Sequence, residues 1–151
     1  MSKTKFLRKK SRKKRPVRRI PEIMLNLEPS RDHIEQLLSI SREALLRFHY
    51  GVSDNDDYLV VARILFIGYR IAQQFDNPDA LAACAKQGLA DVLSLQRQQD
   101  AGDVLSPIQI SGLETNLLTV IDEISKSRLG DVIEANDYFE INYEKILTRF
   151  A

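Results

Sequence analysis

The sequence predicts an all-α fold, an up-and-down bundle of four or five helices that follows a disordered basic N-terminal arm. From residue 30 onward, apolar side chains recur at spacings of three and four, the period of an amphipathic helix. Residues typical of helix ends separate these segments by short connections, which favour antiparallel neighbours. A chain of 151 residues is long enough for one domain with its own hydrophobic core. We divide it into an arm and linker, residues 1–29, and a helical domain, residues 30–151.

Charge is distributed unevenly along the chain. Residues 1–19 contain 11 basic side chains and no acidic one, whereas residues 20–151 contain the other 11 basic residues and all 21 acidic ones. The formal net charge of +1 is therefore the sum of an arm of charge +11 and a body of charge −10. The arm has few apolar residues and strong self-repulsion, and Pro16 and Pro21 interrupt any continuous helix. We therefore expect the arm alone to be disordered.

The composition of the arm predicts binding to polyanions. Closely spaced Lys and Arg side chains neutralise phosphates and release condensed counterions, whatever the base sequence. Only Phe6 is available to stack on a base. We therefore expect contacts with DNA or RNA that are largely independent of sequence, and the arm does not distinguish the two polymers. The residues predicted to contact phosphates are Arg8, Lys9, Lys10, Arg12, Lys13, Lys14, Arg15, Arg18 and Arg19.

Other functions are compatible with such an arm. In an adaptor or inhibitor, the arm would grip an acidic surface of a partner protein. The segment KKSRKKRP fits a nuclear localisation signal if the source is eukaryotic. A mitochondrial transit peptide is also Arg-rich and poor in acids, although this arm is rich in Lys and poor in Ser. A tail that only aids solubility is the simplest alternative. We expect no membrane partner, because neither a lipidation signal nor an amphipathic anchor accompanies the arm.

The first two helices of the body have recognisable ends. Ser30 is suited to cap a helix over residues 31–50, and Gly51 can close that helix in a left-handed conformation. A second helix is predicted to begin at Ser53, with acidic residues in its first turn, and to continue to Phe75.

The second helix has an unusually apolar composition. Residues 58–72 are nearly all apolar, which predicts a central helix packed by several neighbours. The stretch is shorter than the roughly 20 residues of a transmembrane helix, and it contains Arg63 and Arg70. We interpret these arginines as a stripe paired with acids of adjacent helices; the alternative is a seam that binds an anion or a partner. Gly68 in this helix and Gly88 in the third helix lower the helix propensity. We therefore expect that a neighbouring helix approaches closely at each glycine, where no side chain is in the way.

A third helix is predicted after Asn77 and Pro78, which suit the N-cap and the first helical position, and it extends to about Gln99. Ser106 and Pro107 have the same roles at the start of a fourth helix.

The C-terminal segment is less clear in its pattern. The fourth helix is predicted to stop near Gly130, and Asp131 with Glu134 forms a capping box that starts a fifth helix ending near Phe150. An aromatic cluster weakens this helix, so a strand over residues 139–143 is the alternative. We expect these aromatic residues to pack the last helix against the body. The alternative is an exposed apolar face, shared with the second and third helices, through which the bundle would dimerise.

We expect no metal site. Residues 54–57 resemble the start of a calcium-binding loop, but Leu65 occupies the twelfth position, where such a loop needs Glu. A helix cap is the better interpretation of this acidic cluster. His33 and His49 lie too far apart along one helix to share a metal, and no Glu-x-x-His pair of di-iron bundles occurs.

The sequence favours a binding protein over an enzyme. It has no Gly-rich phosphate loop and no nucleophile motif. The lone Cys84, expected in the core, cannot form an intramolecular disulfide, which favours a reducing, cytoplasmic compartment, with nucleoid or ribosome association as a narrower option. We therefore expect a non-enzymatic protein without a cofactor. Its arm binds nucleic acid, and its bundle binds another protein or a second copy of itself.

Overall fold

The computed structural model describes residues 22–74 and 79–150. In these ranges every regular element is a helix, so the predicted all-α bundle is confirmed and the strand over residues 139–143 is wrong. The first helix is a single turn, and the other five are long. The helices are α1 (Glu22–Leu25), α2 (Arg31–Tyr50), α3 (Asn55–Ala72), α4 (Asp79–Asp100), α5 (Pro107–Ser125) and α6 (Leu129–Phe150).

The arm precedes the described part of the chain. Its nine predicted phosphate contacts and its predicted disorder therefore lie outside the described residues. The described chain begins at α1, which packs against the start of α6. The backbone N–H of Leu129 donates to the carbonyl oxygen of Leu27 at 2.8 Å, and Gly130 lies against Leu25. The arm is thus attached to the body beside the N-terminus of α6.

Helix α2 has the bounds that its end residues predict. The Ser30 side chain accepts a hydrogen bond from the backbone N–H of His33 at 3.2 Å. At the other end Gly51 adopts φ 70°, the left-handed conformation that glycine tolerates without strain, and its N–H donates to the carbonyl oxygen of Phe48. Both caps form hydrogen bonds within a few residues of themselves, which is why the sequence alone predicts them.

Helix α3 begins one residue later than predicted. Its N-cap is Asp54 and not Ser53, and Asp54 and Asp57 form a reciprocal capping box, which confirms the helix-cap interpretation of the acidic cluster. The Ser53 hydroxyl instead hydrogen-bonds to Tyr58 at 3.1 Å and to Gln99 of α4 at 2.5 Å. A partner on another helix therefore determines where α3 starts. The helix ends at Ala72, short of the predicted Phe75.

The start predicted for α4, at Asn77 and Pro78, lies outside the described residues, and this helix ends at Asp100. Helix α5 starts as predicted: Ser106 caps it by accepting from the backbone N–H of Gln109 at 3.3 Å, and Pro107 is its first residue.

The boundary between α5 and α6 differs from the prediction. Helix α5 ends at Ser125, whereas Gly130 belongs to the first turn of α6, which starts two residues before Asp131. The physical reason is α1, whose backbone accepts from Leu129 and whose Leu25 side chain fits against the bare Cα of Gly130.

Helix α3 is central, as predicted, because it contacts α2, α4, α5 and α6. Eleven of its residues are buried. Gly68 permits the approach of Val120 on α5, and Gly88 permits that of Leu65, since a Cβ built at Gly88 would lie 2.7 Å from Leu65 Cδ2. Both predicted close approaches are therefore confirmed. Among the described helices, none is both long enough and apolar enough to cross a membrane.

Candidate anion-binding site between helices α3 and α6

The two arginines of α3 both face α6. Arg63 Nη1 donates to Glu140 Oε1 at 2.8 Å and to Asn136 Oδ1 at 3.2 Å, and its guanidinium carbon lies 5.6 Å from the centroid of the Phe139 ring. The side chains of both partners of this ion pair are partly exposed, so its contribution to stability is modest.

Arg70 is held more rigidly than Arg63. Its Nε and Nη2 atoms donate to the two carboxylate oxygens of Glu134, each at 2.8 Å, in a bidentate pair. The guanidinium carbon lies 3.9 Å from the centroid of the Tyr138 ring, within range of a cation–π contact. The hydrogen bonds from Arg70 lower the pKa of Glu134 below its ordinary value and outweigh its slight desolvation. At neutral pH Arg70, Glu134 and Tyr138 therefore form an ordered surface, called the wall below, in which an ion pair packs against an aromatic ring.

A cavity of about 430 Å³ adjoins this wall. Aromatic side chains from both helices line it, namely Phe66, Tyr69 and Tyr138. Tyr138 stacks on Phe66 with ring centroids 6.0 Å apart, and Tyr69 meets Phe150 edge to face at 5.0 Å. Pockets that take small organic ligands have volumes of roughly 300–1,000 Å³, so this cavity lies near the lower end of that range.

The charges of the cavity are opposite in sign to those of the body around it. Its lining includes Arg70, Lys145 and Arg149 and no carboxylate. Arg70 is neutralised by Glu134, whereas neither Lys145 nor Arg149 forms an ion pair with a described residue. A body of charge −10 thus has a local cationic concavity, which is an arrangement that attracts anions.

Polar amides complete the lining. Asn142 Nδ2 donates to the carbonyl oxygen of Tyr138 at 3.1 Å, and no described residue donates to its Oδ1, which can accept a hydrogen bond from a ligand. Gln73, at the C-terminal end of α3, also lines the cavity, and its side chain makes no hydrogen bond to the described residues. The cavity therefore offers positive charge, flat apolar surface and hydrogen-bonding groups together.

An ion pair between α2 and α3, with a buried carboxylate, stabilises the fold away from this cavity. Arg47 of α2 donates through Nε to both carboxylate oxygens of Asp57, at 2.9 and 3.0 Å. Burial opposes ionisation of Asp57, but hydrogen bonds from Arg47 and from the backbone N–H of Asp54 outweigh it and hold its pKa below the ordinary value. Because every partner of this carboxylate is internal, we assign the pair to structure.

The remaining candidate residues do not assemble into a chemical site. In the described ranges, no group of three or more His, Cys, Asp or Glu side chains is placed to hold a metal ion. His33 and His49 are exposed on α2. Cys84 is partly exposed on α4, which corrects its predicted place in the core: α4 turns Leu81, Ala85 and Leu89 inward instead.

The sequence identified only part of the cationic cavity. Arg70 lines it, whereas Arg63 lies against α6 outside the lining, and the nine arm residues lie outside the described part of the chain. Sequence reasoning missed Lys145, Arg149 and Tyr69. A signal for them exists in the spacing, since positions 138, 142, 145 and 149 recur at four, three and four and so share one face of α6.

We compared the chain with protein-family models, with curated protein sequences and with solved structures, and nothing matched.

Proposed function

We propose that the protein binds nucleic acid without catalysing a reaction: its basic arm contacts phosphates, and its helical bundle mediates dimerisation or partner recruitment. The observation that carries the proposal is the concentration of 11 basic residues and no acid in residues 1–19. Binding of this kind comes mainly from the release of counterions and is largely independent of base sequence.

The charge of the body supports a division of roles. Residues 20–151 have a net charge of −10 and repel a phosphate backbone as a whole, so the arm has to supply most of the attraction. Its attachment point, at α1 beside the start of α6, lies on the described surface of the domain. Residues 1–21, which precede α1, can extend at most about 75 Å from this point, which is enough to contact several phosphates.

Exposed apolar side chains support the second role, recruitment of a partner or a second copy. Val104 is 93% exposed and Tyr50 is 77% exposed, and both line a shallow surface where the end of α2 meets the loop before α5. Ile108, in the first turn of α5, is 86% exposed. Exposed apolar residues that share one surface, as Tyr50 and Val104 do, are typical of protein-interaction sites.

The direct test replaces the nine predicted contact residues of the arm by Gln in the full-length chain. We expect affinity for a generic DNA duplex and for a structured RNA to fall at least 100-fold at moderate salt, because the phosphate contacts are removed. The control changes the exposed Lys86 and Arg97 of the body to Gln and should retain affinity. Fluorescence anisotropy measures both, and equal affinity of the arm variant and the wild type would overturn the proposal.

A second candidate is an adaptor or inhibitor whose arm grips an acidic partner protein, and the exposed Val104 and Ile108 favour it. A partner that is retained after nuclease treatment, and lost in the arm variant, would favour this function. Absorbance of the purified protein at 260 and 280 nm, before and after nuclease digestion, shows whether it carries nucleic acid and of which kind.

A further inference from the structure

We propose that the cavity between α3 and α6 binds a single nucleotide unit, a planar base with its phosphate, either as a free mononucleotide or as an unpaired nucleotide of a single strand. The inference goes beyond the proposed function of the arm, because the cavity is formed entirely by residues of the helical body.

The phosphate has a defined place in this cavity. Lys145 and Arg149 are four residues apart on α6, so their side chains project from successive turns of one face. Neither is engaged by a carboxylate of the described chain, and both line the cavity. The free carbonyl groups in the last turn of α6 carry a partial negative charge equivalent to about −0.5, which disfavours an anion. The two full positive charges of Lys145 and Arg149 outweigh it.

The base is recognised by different groups from those that bind the phosphate. Tyr69 provides ring surface for a base. Arg70 lies over the Tyr138 ring and is held there by its bidentate bond to Glu134, so this side of the cavity is ordered before a ligand arrives. The amides of Gln73 and Asn142 carry both donors and acceptors, which suits the edge of a base. Base–aromatic stacking tolerates every base, so we expect weak discrimination among the four.

The size and polarity of the cavity argue against smaller or wholly apolar ligands. A bare phosphate would leave most of the 430 Å³ and the aromatic walls unused. An uncharged apolar ligand would desolvate Lys145 and Arg149 without pairing them. A ligand that combines a ring with an anionic group satisfies both parts of the lining.

The cavity and the arm are close enough to act on one strand. The arm is attached near Gly130, and Lys145 lies fifteen residues further along α6, about 22 Å at the helical rise. A strand held by the arm can therefore place one nucleotide in the cavity.

The test uses the full-length chain with the nine arm residues changed to Gln, so that the arm retains only Lys3 and Lys5. Adenosine monophosphate, adenosine and inorganic phosphate are titrated separately by calorimetry. We expect adenosine monophosphate to bind at least tenfold more tightly than either fragment. The double variant Lys145→Ala/Arg149→Ala should lose at least tenfold in affinity for the nucleotide, whereas the matched control Lys86→Ala/Arg97→Ala, on exposed sites of α4, should lose none.

A third variant, Tyr69→Leu, tests the contact with the base independently of the contact with the phosphate. It should weaken nucleotide binding about tenfold and leave phosphate binding unchanged, because it removes the phenol ring and its hydroxyl but no positive charge. Circular dichroism confirms that each variant is folded. Equal nucleotide affinity in the Lys145/Arg149 variant and its control, or no detectable nucleotide binding to the parent, would overturn the proposal.

Two further arms of the experiment identify the source of the nucleotide. In the chain with its native arm, a short single strand that binds more tightly than adenosine monophosphate, and that loses affinity in the Lys145/Arg149 variant, supports a nucleotide of a strand. Equal or tighter binding of the free nucleotide supports a mononucleotide ligand. Loss of nucleic-acid binding on neutralising the arm bears only on the proposed function, so the two proposals can fail separately.

Discussion

Asp57 shows how one carboxylate can be buried in this fold. The residue is 6% exposed, and its two oxygens accept hydrogen bonds from Arg47 and from the backbone of Asp54. It joins α2 to α3 and completes the N-terminal capping box of α3. Because its pKa in the folded protein lies below the ordinary value, its ionised form stabilises the fold.

We expect Asp57→Asn to reduce the free energy of unfolding by about 2 kcal/mol at pH 7. It removes the negative charge to which Arg47 and the backbone N–H of Asp54 donate hydrogen bonds. A depressed pKa gives stability that is present above the unfolded-state value of about 3.9 and is lost as pH falls through the folded-state value. The difference between variant and wild type should therefore shrink at pH 3. Urea unfolding at both pH values measures it.

The control for this prediction is Asp56→Asn, in the same first turn of α3 but exposed. It changes the same charge next to the helix dipole and should cost only about 0.5 kcal/mol. A deficit for Asp57→Asn that is as large at pH 3 as at pH 7 would show that packing, and not charge, is responsible.

Ser41 is an orphaned polar residue in the core. Its hydroxyl is buried and is the sole buried side-chain polar atom without a partner in the described ranges. We expect Ser41→Ala to raise the free energy of unfolding by about 1 kcal/mol, since it removes an unsatisfied group and improves helix propensity. Ser39→Ala, on the exposed face of α2, isolates the propensity contribution of roughly 0.5 kcal/mol. Equal gains from both variants would contradict the argument.

At the scale of the helices, glycine decides how closely α3 and α5 approach. A Cβ at Gly68 would clash with Val120 of α5, both of whose methyl groups are near. The clash falls on the β-branched end of a fully buried side chain, which has little freedom to move. Glycine at this position therefore lowers the helix propensity of α3 but permits its close packing against α5.

We expect Gly68→Ala to destabilise the protein by about 2 kcal/mol, because the strain of overpacking exceeds the gain in propensity. Gly112 of α5 is the matched control, since nothing lies within 4 Å of a Cβ built there. Gly112→Ala should stabilise the protein by about 0.5–1 kcal/mol. Thermal unfolding of both variants gives the comparison, and a gain from Gly68→Ala would refute the close-packing account.

The helix boundaries show which elements the sequence could predict. Ser30, Gly51 and Ser106 act on their own backbone within a few residues, and their positions were predicted correctly. Ser53 and Gly130 satisfy the same local rules but have partners elsewhere in the chain: Gln99 of α4 binds Ser53, and Leu25 of α1 covers Gly130. Those two boundaries were predicted wrongly because tertiary contacts outweighed local preference.

At the scale of the whole molecule, the division of charge leads to a prediction about salt. If the arm makes six to eight contacts on duplex DNA, log K should fall with log salt concentration at a slope of about −5 to −7. The variant with the nine arm residues changed to Gln retains only Lys3 and Lys5, so its slope should be no steeper than about −2. Titrations between 50 and 300 mM salt measure both slopes, and a shallow slope for the wild type would exclude a phosphate-tracking arm.

The candidate site, like the boundaries of α3 and α6, depends on tertiary contacts that the local sequence does not predict. Arg63 and Arg70 stand out in the sequence because they interrupt an apolar stretch. Lys145 and Arg149 look like ordinary surface cations of a C-terminal helix. Their role in the cavity depends on which face of α6 meets α3, and no local pattern specifies that pairing.

The sequence by itself determined the helical class, the starts of α2 and α5, the central place of α3 and the separation of an arm of +11 from a body of −10. These properties follow from periodicity, capping and charge, which act over a few residues. Only the tertiary structure decided where Ser53 bonds, how α1 fixes the start of α6, and that Arg70, Lys145 and Arg149 share one concave surface. Such features depend on side chains far apart in sequence, and packing of the helices alone brings them together.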